Sequence, residues 1–368
     1  MMRSFLPVIT VLLPVCLQAG TVYTITDLGL LPGGSSTAAS GISSNGWVTG
    51  SGDTDAAFSL PFLWSAGTGL SAVSPVDSQY AFGTGVNATG VVVGYEFNSD
   101  WSIFRAFVND GSGAIYIPTL AGGADNAATG INNSGTIVGY SETTGAGGND
   151  EAFSYSGGLL TGLSTLPGGS TSQANAINSS GHIVGESDSS ASSDLHPAIW
   201  IGSGWTDLGV FSSDYLSGAA TAISNADQVA VTLHAASGGG TMAFLWTTSD
   251  GMTKLGSLAP GGDSQAYGVN SAGLVVGTSD NVAFLYSNSV MYDLNTLLDS
   301  SSAGWQLNGA MAINDQGQIV GTGLYGNDQQ QRAFLLTPLT SSDVPEPAAP
   351  LMVCGGMLLL AVGKFRHL

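Results

Sequence analysis

Between its two terminal segments the chain offers few groups able to do chemistry: three histidines (His182, His196 and His234), no cysteine, and scattered carboxylates. The histidines stand in unrelated contexts, and none has partners at zinc-ligand spacing. No Gly-x-Ser-x-Gly elbow presents a serine nucleophile. That leaves the carboxylates. Held in loops they can ligate a hard cation such as Ca2+, and in pairs they can act as acid and base on a glycosidic bond. Asp53-Thr54-Asp55 is the nearest thing to a calcium-ligand pair, but no complete D-x-D-x-D-G loop exists. No cofactor or metal is therefore expected, with calcium the one worth testing. The residues singled out for ligand contact are Asp53, Asp55, Glu96, Asp100, Asp188, Asp194 and His196, with Trp101 as a ring on which a sugar can stack. Solvated loop carboxylates are the bland alternative.

Charge narrows the partners. Six Lys and Arg stand against 26 Asp and Glu in 368 residues, a net charge of −20. Phosphate backbones would be repelled, which argues against nucleic acid. Charged residues make up 9% of the chain, against about 25% in a typical soluble domain, so solubility rests on Ser, Thr, Asn, Gln and the carboxylates.

The candidates need a scaffold, and a repeat supplies it. An Ile or Val, a small polar turn and a Val-rich run recur at Ile42, Val86, Ile131, Ile177, Ile223, Val269 and Ile313, at intervals of 44, 45, 46, 46, 46 and 44 residues. A period near 45 with four strand-like runs per unit marks a β-propeller blade. Ile131-Asn132-Asn133-Ser134-Gly135-Thr136-Ile137 reads as strand, type I turn and strand, with Gly135 taking the left-handed position. The fifth copy puts Asp227 where the others have Gly. The periodic turn Asn residues are read as structural, not as ligands. A third run follows in each copy, such as Arg105-Ala106-Phe107-Val108 or Val282-Ala283-Phe284-Leu285, its aromatic ring destined for the core. A short hairpin then leads to the fourth run.

Seven copies of four strands predict a seven-bladed all-β propeller over residues 20–338, with little or no helix. The first run, 23–28, has no predecessor and the last, 333–336, has no successor, so their pairing would close the ring. Alternating strand direction puts the Asn-x-x-Gly turns and the third-to-fourth hairpins on one face. The Pro-Gly-Gly links and variable second-to-third loops, among them 51–60, 95–104 and 186–196, share the other, which is the expected ligand face.

The ends predict export. Arg3 and the apolar run 5–17, with a small residue at Ala19, read as a signal peptide cut after residue 19. Pro345-Glu346-Pro347 precedes an uncharged apolar stretch, 348–363, and a basic end with Lys364 and Arg366. This closely resembles the PEP-CTERM sorting tail of Gram-negative bacteria that make extracellular polysaccharide. The resemblance implies a transmembrane segment and basic tail over 348–368, transient anchoring in the inner membrane, and recognition of Pro345, Glu346 and Pro347 by an exosortase-type sorting protease, with 339–347 as linker. The body, over roughly 22–338, resembles the HAF family of extracellular repeats. Ala106-Phe107, Ala152-Phe153, Ala243-Phe244, Ala283-Phe284 and Ala333-Phe334 match two letters of its tripeptide, and the His is missing throughout. That resemblance implies an exported repeat protein and no set chemistry. The function expected is a non-enzymatic binding or structural protein of the cell surface or exopolysaccharide matrix, in contact with exopolysaccharide or other matrix components. The alternative is an extracellular carbohydrate-active lyase or hydrolase using face carboxylates.

Overall fold

The computed structural model describes residues 21–98, 100–101, 103–143, 148–236 and 238–339. The expected signal helix, the Ala19 cut, the Pro345-Glu346-Pro347 motif and the C-terminal helix with Lys364 and Arg366 lie outside the described residues. No helix among the described residues is long and apolar enough to cross a membrane.

Seven four-stranded antiparallel sheets form the blades of a propeller. Blade 1 runs Thr37–Ile42, Val48–Gly52, Leu60–Ser65 and Gly69–Ala72 in order, and blade 2 runs Tyr80–Val86, Val92–Phe97, Phe104–Asn109 and Ala114–Tyr116. Blades 3 to 6 repeat this meander over residues 126–162, 172–207, 215–256 and 264–293. Blade 7 takes Trp305–Ile313, Ile319–Tyr325 and Gln330–Pro338 from the C-terminal end, and its fourth strand, Tyr23–Asp27, from the N-terminal end. The predicted closure is thus present, in the register Tyr23↔Pro338 to Asp27↔Phe334. First strands neighbour one another all the way round, blade 7 to blade 1 included.

The repeat residues explain the stacking. Phe62, Phe107, Phe153, Phe244, Phe284 and Phe334, all fully buried, fill the gaps between blades. The fully buried Ala before most of them lets the neighbouring sheet approach, and its amide is satisfied from the next blade. Ala106 N donates to Asn126 Oδ1 (2.8 Å), Ala152 N to Ser172 Oγ (3.0 Å) and, across the closure, Ala333 N to Thr37 Oγ1 (3.1 Å). Each first strand also carries a one-residue bulge, which frees a side chain from the pleat. Five of the bulged residues staple their blade to a carbonyl of the next: Ser40 to Gly83, Thr84 to Ala128, Thr129 to Ala174, Asn175 to Ala220 and Thr221 to Ala266. Tyr267 and Met311 stand at the remaining two places.

The turn asparagines are structural, as expected. Asn132 Oδ1 accepts from the amides of Ser134 and Thr136, and its Nδ2 donates to Asn178 O of the next blade at 3.2 Å. Asn314 does the same across the closure, to Ser43 O at 3.1 Å. Gly135 has φ +84°, and Asp227 takes the equivalent conformation at φ +57°.

The second-to-third connections are shorter than the sequence suggested. In blade 4 the strands run to Ser189 and resume at Ser192, so the loop read as 186–196 shrinks to a two-residue hairpin. Asp188, Asp194 and His196 therefore sit on strands. A Ser-rich, Gly-free segment resembles a loop in composition, yet beyond a register shift after Ser187 the pair Ser189↔Ser192 extends the ladder to the turn.

Candidate functional site

The carboxylates picked from the sequence mostly tie the links of their own face. Asp53, just past the second strand of blade 1, accepts from the amides and hydroxyls of Ser35 and Ser36 at 2.6 to 3.1 Å. Desolvation pushes this carboxyl up, but those hydrogen bonds outweigh it and hold it well below the usual range. Asp188 does the same in blade 4, taking Ser170 N, Ser170 Oγ and Thr171 N at 2.7 Å each. Its carboxyl is likewise lowered, by the Thr171 and Ser170 bonds against desolvation. Glu142 and Asp280 accept from link amides at Ala124 and Asp263. The Gly-Gly of the link makes this approach feasible, because a Cβ on Gly169 would sit 2.2 Å from Asp188 O. These contacts have no sequence signature beyond a carboxylate 11 residues after the repeat Ile.

The other candidates are dispersed. Asp55, Asp100 and Asp194 are exposed, and His196 Nδ1 lies 3.0 Å from Asp207 Oδ2 within blade 4. His182 sits on the opposite face, its Nδ1 2.8 Å from Asp227 Oδ1 of blade 5. Among the described residues no three His, Cys, Asp or Glu side chains converge as a metal site.

Trp101 is different, because the fold gathers other rings around it. Asn98 pins its loop: Asn98 N donates to Ile103 O, Ile103 N to Asn98 Oδ1 and Trp101 N to Asn98 O. Trp101 has φ +62°, an outlier conformation for so bulky a residue. Its ring lies 4.3 Å from Tyr80 and 4.8 Å from Phe97. Phe58, from the second-to-third loop of blade 1, stacks on Tyr80 at 4.9 Å and an interplanar angle of 2°. Phe97 continues the cluster to Phe82, Tyr95 and Phe104, and Phe104 reaches Tyr140 of blade 3. At the outer end Phe58 is 69% and Trp101 50% exposed. Of these rings only Trp101 stands out in the sequence as a ligand contact. The missed signal is that Phe58, Tyr80 and Phe97 all fall at or beside variable-face loops of adjacent copies.

Beside this row lies a cavity of about 140 Å3 lined by Asp77, Glu96, Asn98, Ile103, Arg105 and Tyr116. Glu96 pairs with Arg105 and Phe97 with Phe104 across neighbouring strands, so the polar pocket and the aromatic row project from opposite faces of blade 2. Glu96 is 2% exposed and accepts from Val76 N (2.8 Å) and Asp77 N (3.3 Å). Tyr116 Oη lies 2.5 Å from Glu96 Oε1 and 2.6 Å from Asp77 Oδ1. Burial raises the Glu96 carboxyl, and burial together with the two carboxylates raises the Tyr116 hydroxyl. The Arg105 guanidinium lies over the Tyr116 ring at 5.3 Å. No carboxylate among the described residues lies within ion-pair distance of it.

Burial also raises Asp125, Asp150 and Glu186 in blades 3 and 4, the last to about 7. A carboxyl whose folded pKa exceeds its ordinary 4.5 stabilises the fold fully below about 4.5 and loses that contribution as pH rises towards 7. Glu186→Gln is therefore expected to match wild type in Tm at pH 4.5 and to exceed it at pH 8 by several degrees, since a carboxyl raised from 4.5 to about 7 costs the fold up to about 3 kcal/mol there. An advantage independent of pH would remove Glu186 from this account.

The opposite face holds a second cavity, about 160 Å3, at the mouth of the central axis. Its floor is the seven repeat-opening residues, from Ile42 to Ile313, and its rim is Ser and Asn from the turns. The sequence marks these residues as a periodic pattern but not as a lining. The rim is spanned by its own side chains, Asn133 Nδ2 to Ser44 Oγ (3.1 Å) and Asn225 Nδ2 to Asp315 Oδ2 (3.2 Å).

No family profile matches the chain, and no curated protein matches it. Among solved structures it is similar to TolB from Acinetobacter baumannii, at 13% identity over 79% of this chain and 63% of that one, TM-score 0.46. It is also similar to a puromycin hydrolase S511A mutant (13% identity, 79% and 50% covered, TM-score 0.48) and to virginiamycin B lyase from Staphylococcus aureus (13%, 86% and 100%, 0.48). The chain thus spans less than two thirds of the first two proteins. At this identity and TM-score the likenesses carry no functional weight.

Proposed function

We propose that this is an exported, non-enzymatic glycan-binding propeller of the cell surface or exopolysaccharide matrix. In this reading a signal peptide cut at Ala19 exports it, and an exosortase-type protease sorts it through Pro345-Glu346-Pro347 after transient anchoring in the inner membrane. The observation that carries the binding role is the aromatic row Phe58–Tyr80–Trp101 on the variable face. Exposed rings of this size are costly to leave in water, and their flat faces suit the C–H faces of sugar rings. Trp101 held at positive φ supports the reading, since such outliers cluster at ligand sites. Trp101→Ala and Phe58→Ala are each expected to weaken binding to the native matrix polysaccharide at least tenfold, about 1.4 kcal/mol, with an unchanged melt. Affinity electrophoresis measures it, and wild-type mobility in both variants would refute the role of the row. The hydrolase or lyase alternative rests on the close Glu96–Tyr116–Asp77 contacts, and release of reducing ends by wild type but not by Asp77→Asn would favour it.

A further inference from the structure

The cavity beside Arg105 has a defined hydrogen-bonding character. A tyrosine hydroxyl carries one hydrogen, yet Tyr116 Oη is within hydrogen-bond distance of both Glu96 Oε1 (2.5 Å) and Asp77 Oδ1 (2.6 Å). If Tyr116 donates to one carboxyl, the other contact needs a proton on the second carboxyl. The trio then holds one carboxylate and one carboxylic acid, and Glu96, 2% exposed, is the one whose burial favours the neutral form. Set against this single negative charge is the single positive charge of Arg105, which makes no ion pair among the described residues and whose field also reaches the Asp125 carboxyl. The pocket therefore holds no surplus positive charge, inside a chain of net charge −20. It has no surplus cation for an anionic ligand. What it offers is a fork of N–H donors from Arg105, whose guanidinium lies over the Tyr116 ring, and the acceptor oxygens of Asp77, in a cavity that Asn98 and Ile103 of the Trp101 loop also line. A hydroxyl both donates and accepts, so two adjacent hydroxyls satisfy both sides at once.

Resting on the glycan-binding reading, we infer that this cavity is a polar subsite for vicinal hydroxyls of an uncharged sugar, with Arg105 donating to them and Asp77 accepting from them. The ligand class is therefore a neutral polysaccharide, and uronate-bearing chains are disfavoured because their carboxylates would meet Asp77. The row and the cavity lie on opposite faces of the blade and meet at the 98–103 loop, whose Trp101 ends the row and whose Asn98 and Ile103 line the cavity. A polysaccharide crossing that loop thus reaches both: the row supplies contact area to any sugar ring, and the cavity selects among sugars.

The test uses the protein as exported, with titration calorimetry against dextran, galactomannan, polygalacturonate and carboxyl-reduced polygalacturonate. The last two share a backbone and differ in charge. At least one neutral polymer is expected to bind, with the carboxyl-reduced chain bound at least tenfold more tightly than its acidic parent. Arg105→Ala and Asp77→Asn should each weaken the neutral ligand tenfold or more, and Arg105→Lys, which keeps the charge and loses the fork, should weaken it too. Arg105 is exposed, so its variants are expected to melt like wild type. Equal or tighter binding of the acidic parent overturns the inference. So does wild-type affinity in Arg105→Ala where Trp101→Ala has lost binding, an outcome that leaves the aromatic row standing. Failure of wild type to bind any of the four polymers would instead remove the glycan-binding reading, and the subsite with it.

Discussion

Deleting residues 22–29 is expected to abolish cooperative folding at room temperature, or to lower Tm by well over 10 °C. The segment brings Tyr23, Ile25 and Leu28 into the core at 0%, 7% and 3% exposure. At about 1.5–3 kcal/mol for each large apolar side chain, their loss removes roughly 5–9 kcal/mol from a total that is about 5–15 for a typical domain. The polar losses add to this. Arg332 Nη1 would lose Asp27 Oδ2 at 2.8 Å, and the Ala333 carbonyl would lose the Leu28 amide at 3.1 Å. Deletion also bares the long last strand, Gln330–Pro338, as an open edge carrying Ala333-Phe334-Leu335-Leu336, a template for aggregation. Among the described residues the bulge staple is made in five blades and not by Tyr267 or Met311 of blades 6 and 7, where Tyr23 and Ile25 of the closing strand pack against Leu274, Val276 and Leu285. A circular-dichroism melt with size-exclusion chromatography reads the result. A monomer melting within a few degrees of wild type would show that the ring holds without its closing strand.

Gly139→Ala should be nearly as damaging, though it adds one methyl group. In the second strand of blade 3 that methyl would lie 1.9 Å from Ala127 O and 2.9 Å from Phe153 Cζ. The carbonyl belongs to the paired first strand, so it cannot retreat without breaking the ladder, and the Phe ring is fully buried. Overpacking against backbone in a closed ring places this change among the costliest single substitutions, above about 4 kcal/mol. Gly135→Ala is the control. Gly135 has φ +84° and nothing within 4 Å of an added Cβ, so only the left-handed backbone opposes it, at about 1–2 kcal/mol. Urea denaturation of both variants separates the causes. Equal losses would mean that the close approach at Gly139 relaxes easily and that the sheet tolerates a side chain there, as blade 5 does with Val231.

Much of the fold was legible because its determinants are local and recur. The turn Asn accepts from amides two and four residues ahead, so its place shows within a nine-residue phrase. Alternation of strand direction then assigns each connection to a face without reference to any contact. Strand ends were less legible. Ser189 and Ser192 carry no apolar pattern, and they lie in strands because the ladder from Ile183, after a register shift between Ser187 and Ser189, closes on their pair. The candidate site was legible only in part. Glu96 and Trp101 were found as loop residues with suitable chemistry. Tyr116 was absorbed into a fourth strand and Phe58 into a variable loop, since nothing in one copy announces its neighbours in the next.

Acting alone, the sequence determined the number of blades, the order of strands within each, the pairing of the two ends and which connections share a face. These follow from a 45-residue period and from hydrogen bonds between residues close in the chain. Only the tertiary structure decided what the carboxylates do. Asp53 and Asp188 became ties for the links, whereas Glu96 came to share Tyr116 with Asp77, 19 residues before it. The reason is physical. A carboxylate's role depends on which donors and charges surround it in space, and in a ring of stacked sheets those neighbours come from adjoining blades, at separations that no local pattern encodes.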